Sequence, residues 1–112
     1  MKDPLLYIIH IHESLKKILD YTRDGREAFM ADPKTQDAVV RNFEVVGEAT
    51  KRLPSELTAL HPNIPWRRMA GFRDILIHAY DRVDMSEIWN IIEQHVPQLF
   101  TEITHIRTKM QS

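Results

Sequence analysis

Apolar residues recur along this chain at three- and four-residue intervals, the period of helices that bury one face. Asp3-Pro4 opens the first such segment with an N-cap acceptor and a proline in the first turn. Leu5, Ile8, Ile9, His12, Leu15, Ile18 and Leu19 then mark one face of a helix to about Arg23, and Asp24-Gly25 ends it. Residues 24–32 read as a connection in which Phe29 and Met30 tuck against the body. Asp32-Pro33 repeats the start signal, and Ala38, Val39, Phe43, Val45, Val46 and Ala49 define a second helix to about Leu53. Gly47 within it costs about 1 kcal/mol against alanine, which points to a close approach by another helix. Beside it, Glu48 stands in a small, apolar segment. Two readings are open for it: a carboxylate partnered by an arginine of the central helix, or an exposed one.

Pro54-Ser55-Glu56-Leu57 permits one short helical turn, and Pro54, Pro62 and Pro65 make the following stretch a stiff elbow. A third helix is expected from Pro65 to about Tyr80, with Trp66, Met69, Phe72, Leu76 and Ala79 as its apolar stripe and Ile75, Leu76 and Ile77 facing the core. Asp84 with Glu87 three residues on resembles a capping box and starts the last helix. Its core positions are Ile88, Ile91, Ile92, Val96, Leu99, Ile103 and Ile106. Pro97 lies inside that pattern and calls for a kink or two abutting helices. No stretch alternates as a strand would, and nothing repeats. The pattern predicts an all-α bundle of four to five helices, one domain over residues 1–112.

Composition narrows the chemistry. A chain of 112 residues holds one core of useful size. The absence of cysteine excludes disulfides, thiolate metal sites and a thiol nucleophile. A net charge of −1 removes any whole-molecule argument for nucleic-acid binding. Locally, however, Arg67, Arg68, Arg73 and Arg82 surround the central stretch against only Asp74 and Asp81. That patch is compatible with a phosphate ligand, although charge alone favours a solvated arginine-rich helix face. No apolar run approaches the ~20 residues of a membrane span. Met1-Lys2-Asp3-Pro4 lacks the pattern of a secretory signal, so the expectation is a cytoplasmic protein without a membrane partner.

Polar, reactive side chains interrupt the buried-looking run Arg73-Asp74-Ile75-Leu76-Ile77-His78-Ala79-Tyr80. On one helix Asp74 lies four residues before His78 and could orient its ring, and Arg73 and Tyr80 share a neighbouring strip. Arg73 and His78 are five apart, roughly 140° around the axis, though a long guanidinium can swing towards the imidazole. A fixed cation beside a side chain that exchanges protons near neutral pH suits phosphodiester chemistry. RNA supplies its own nucleophile, the 2′-hydroxyl. A base, an acid and charge stabilisation then suffice, with no metal or other cofactor. The remaining histidines do not converge on a ligand set. His10 and His12 point to different faces, His61 sits in the elbow, and His95 and His105 are spread along the last helix. Surface or packing roles are expected for these five.

The central residues carry a resemblance. Arg73, His78 and Tyr80 match the R-x4-H-x-Y motif of HEPN-domain ribonucleases of the HepT toxin type. Asp37-Ala38-Val39-Val40-Arg41-Asn42 leading into Val46-Gly47-Glu48-Ala49 is similar to that family's second helix. Ile64-Pro65-Trp66-Arg67 and Gly71-Phe72-Arg73 are similar to its approach to the motif, and Trp89 with Val96-Pro97-Gln98-Leu99 to its last helix. The resemblance covers nearly the whole chain. It implies a HEPN-type bundle and a metal-independent endoribonuclease that forms a homodimer with the two motif helices facing across a cleft. Arg73 and His78 are implied as the catalytic pair, with Asp74 in support at a position where relatives often carry asparagine. The implied partners are RNA, such as tRNA or mRNA, and a minimal nucleotidyltransferase antitoxin of the MntA type. That antitoxin would silence the nuclease by transferring AMP to Tyr80. Arg67, Arg68 and Arg82 are further candidates for phosphate contacts. The reading from another class is a non-catalytic helical partner that presents Tyr80 to the nucleotidyltransferase.

Overall fold

The computed structural model describes residues 3–112. Helix α1 (Pro4–Tyr21) begins where the Asp3 carboxylate accepts from the Leu5 N–H at 3.0 Å. It ends at Thr22, whose hydroxyl donates to the Ile18 carbonyl at 2.7 Å. Its buried ridge is Ile8, Ile11, Leu15 and Ile18. Helix α2 (Arg26–Ala31) occupies the expected connection, and its six residues are too few to display a helical period. Phe29 is buried there as expected, whereas Met30 lies on the surface. Helix α3 (Pro33–Lys51) is capped by Asp32, which accepts from the Lys34 N–H and the Thr35 hydroxyl. Short helix α4 (Ser55–Ala59) leads into the proline elbow. There the Trp66 indole donates to the carbonyls of Thr58 and His61, fastening the elbow to the next helix.

Helix α5 (Trp66–His78) stops two residues earlier than expected. Ala79 leaves helical geometry (φ −133°, ψ 37°), and Tyr80–Arg82 form a single 3-10 turn. Helices α6 (Met85–Gln94) and α7 (Val96–Gln111) abut at His95, so the proline pattern separates two helices. Among the described residues there is no strand, and the architecture is an all-α bundle.

Helix α3 packs against α1 on one flank and α5 on the other, while α1 also packs along α7 and α6 closes on α2 and α7. Val39, Phe43 and Val46 of α3 meet Ile8, Ile11 and Leu15 of α1 in one core with Ile88, Ile92, Val96 and Ile103. Each such side chain removed from water contributes about 1.5–3 kcal/mol before the cost of ordering it. Of Ile75, Leu76 and Ile77, only Leu76 is buried; Ile75 is 52% exposed and Ile77 37%. The reason is geometric. Three consecutive helical residues span roughly 200° of arc, and α5 rests on a neighbour along one side only.

The α1–α7 seam is polar at one point. His12 stacks on Phe100 with ring centroids 4.9 Å apart. Its Nδ1 accepts from Arg107 at 2.8 Å, which leaves Nε2–H to donate to the Thr104 hydroxyl at 3.0 Å. Thr104 in turn donates to the Phe100 carbonyl. Burial first, and then the Arg107 charge, hold the His12 pKa below its ordinary value.

Candidate active site at the α3–α5 crossing

Gly47 sets the distance between α3 and α5. A methyl group there would overlap Cβ of Arg73 and come within 2.9 Å of the Met69 carbonyl oxygen. The expected close approach is therefore real, and its neighbour is Arg73 itself. With Arg73 seated on α3, its guanidinium reaches Oε2 of Glu48 at 3.3 Å and Oδ1 of Asp74 at 3.3 Å. Glu48 thus has the arginine partner of its first sequence reading, and with its side chain 42% exposed it also meets the second. Each carboxylate is shared. Glu48 also takes Arg52 at 3.2 Å, and Asp74 takes Lys51 through the same Oδ1 at 2.5 Å. Cation and anion alternate from Arg52 through Glu48, Arg73 and Asp74 to Lys51. The Lys51 bond, ahead of the one from Arg73, holds the Asp74 carboxyl below the usual carboxylate range. Glu48, with a smaller contribution from Tyr7, raises the Arg52 pKa.

His78 is the last residue of α5 and is exposed. The Arg73 side chain is 25% exposed, enough to present an edge of the guanidinium to a ligand. Asp74 is occupied by Lys51 and Arg73, and among the described residues it makes no hydrogen bond to His78. Tyr80 lies beyond the helix, 77% exposed, so the strip it was expected to share with Arg73 stops at Ala79. Arg67, Arg68 and Arg82 are exposed. Among the described residues no three His, Asp or Glu side chains converge as a metal-ligand set.

On another side of α5 opens an apolar cleft of about 680 Å³, walled by Phe72, Ile75, Ile91 and Leu99, with Arg68 and His95 among its polar lining residues. Sequence reasoning missed Lys51 and this cleft. Glu48, Lys51 and Arg52 stand at i, i+3 and i+4 on α3, a spacing that puts them on one ridge and was the available signal for Lys51.

The helical bundle and its Arg/His helix therefore define a protein of the HEPN class. The family model described as "Ribonuclease HepT-like" matches residues 11–106, and the chain belongs to that family. It is 42% identical over 102 residues to a Thermococcus cleftensis protein named "Probable ribonuclease HepT", covering 90% of this chain and 93% of that one. It is also 42% identical over 106 residues to a Methanocaldococcus jannaschii protein named "Putative RNase", covering 94% and 88%. A Caldanaerobacter subterraneus protein with the same style of name is 36% identical over 110 residues, covering 97% and 98%. No solved structure matches the chain.

Proposed function

We propose that this chain is a metal-independent endoribonuclease, the toxin of a HEPN/nucleotidyltransferase toxin–antitoxin pair, with Arg73 and His78 as its catalytic residues. The observation that carries the reading is Arg73. Its guanidinium is pinned at a glycine-lined helix crossing yet remains partly open to solvent, on the helix that ends in an exposed His78, within a HepT-like chain. His78 takes the proton of a ribose 2′-hydroxyl, and the 2′ oxygen attacks phosphorus. Arg73 stabilises the charge that builds on the phosphoryl oxygens. The 5′ oxygen departs with a proton from a second imidazolium, leaving a 2′,3′-cyclic phosphate and a 5′-hydroxyl end.

One chain supplies one such imidazole, and Arg73 and His78 diverge around α5. Both facts favour a homodimer that apposes two α5 helices, and the exposed Ile75 and Ile77 offer apolar surface for it. Arg67, Arg68 and Arg82 would track the RNA backbone. Incubating purified protein with total RNA in EDTA tests the reading. Wild type should cleave, and Arg73→Ala and His78→Ala should lose roughly 10²-fold or more in rate while staying folded. Cleavage that needs a divalent ion would sink the metal-free mechanism. Undiminished cleavage by Arg73→Ala would sink the site.

Tyr80 is the proposed point of control. Its exposed phenol is open to a nucleotidyltransferase, and AMP placed there would set negative charge and bulk two residues from His78. Intact mass after co-expression with that partner and ATP should rise by AMP units on wild type and stay constant on Tyr80→Phe. Equal mass gain on both would move the modification elsewhere. The same exposure serves the alternative of a non-catalytic presenting subunit, which the EDTA experiment separates by its lack of Arg73-dependent cleavage.

A further inference from the structure

Asp74 poses a problem for its own site. A guanidinium flanked by two carboxylates, Glu48 and Asp74, is over-neutralised, and an incoming phosphodiester would meet net negative charge. The remaining members of the network change that balance. With Lys51 and Arg52 the group holds three cations against two anions. Lys51 does so by direct competition. Its ammonium and the Arg73 guanidinium approach the same oxygen, Oδ1 of Asp74, and Lys51 makes the shorter contact, 2.5 Å against 3.3 Å. The two competitors come from different helices held together by the Gly47 crossing, so their relative placement is set by the fold.

We propose that Lys51 is a positioning residue of the Arg73 site, holding the Asp74 carboxylate so that the guanidinium is left available to a phosphodiester. This rests on the ribonuclease reading and adds a specific device to it. Lys51 does not touch the reacting atoms. It acts through Asp74, and its influence exists only while residue 74 carries a carboxylate. The low pKa direction of Asp74, with Lys51 as its largest cause, agrees with the geometry.

A double-mutant cycle on a short RNA substrate tests this. Lys51→Met should lower kcat roughly two- to fivefold, the size that a half-exposed charge pair supports, with KM little changed. Lys51→Arg should restore the rate. In an Asp74→Asn background the loss caused by Lys51→Met should disappear, because there is no carboxylate left to hold. Carboxyl NMR titration of Asp74 gives a readout independent of activity: its pKa should rise in Lys51→Met. A loss that persists in the Asp74→Asn background would mean that Lys51 contacts RNA itself, and would overturn the proposal. So would a Lys51→Met protein with wild-type kcat. Arg73→Ala measured alongside keeps the two readings apart. If it cleaves like wild type, the catalytic site is misassigned. If it is inactive while Lys51→Met matches wild type, only the role of Lys51 falls.

Discussion

At the seam of α1 and α7, one proton decides how His12 is bonded. Arg107 donates to its Nδ1, which must therefore carry a lone pair. A protonated ring would face that guanidinium and the nearby Lys16 as a like charge, with only Glu13 in compensation. The folded-state pKa is thus lowered from 6.5, and between the two values the unfolded chain binds more protons than the folded one. The His12 contribution is fully present above about pH 6.5 and is lost as pH falls below it. Chemical denaturation should accordingly show lower stability at pH 5.5 than at 7.5, with a flatter dependence for His12→Gln. Identical slopes for both proteins would remove His12 from the account. A packing role for this histidine was legible from its place on an apolar stripe, but the bonds were not. Its partners Thr104 and Arg107 lie 92 and 95 residues away, and no local pattern encodes such a meeting.

Among the elements, α3 and α5 show how much two adjacent residues can reveal. Gly47 in a helix interior was enough to anticipate a crossing helix, because it is unfavourable without one, and Glu48 beside it offered an arginine partner as one of two open readings. The crossing has a measurable consequence. Gly47→Ala improves helix propensity yet should destabilise the fold by about 1–3 kcal/mol, since Cβ of Arg73 and the Met69 carbonyl occupy the space. Gly71→Ala is the matched control. Nothing lies within 4 Å of its Cβ position, and a gain of about 0.5–1 kcal/mol is expected. Denaturation curves that rank the two the other way would contradict the close packing. Element ends were less legible. Between Gly71 and Pro97 no glycine or proline signals a stop, yet the chain must turn from α5 into α6 within residues 79–84, and this reversal ends α5 at His78. Helix α2 was missed for want of length, not of propensity.

For the whole molecule, the class of fold followed from periodicity alone, but the side of α5 that meets a neighbour did not. Apolar identity placed Ile75 and Ile77 inside, and side-chain type alone cannot distinguish a core position from an exposed apolar one. Assembly is where this becomes testable. Sedimentation at micromolar concentration should give a dimer, and Ile75→Asp should give a folded monomer with impaired RNA cleavage. A wild-type monomer under those conditions would defeat the two-chain mechanism. Specific interfaces bury roughly 1,200–2,000 Å², so the isoleucines alone do not suffice and the walls of the neighbouring cleft are the natural extension. The seat of Arg73 at Gly47 also bears on transplantation. Residues 73–80 grafted onto a foreign helical bundle would bring the reactive groups without the gap that locates them. A portable version of this site has to include residues 47–51 as well, and two segments more than twenty positions apart would have to be inherited together.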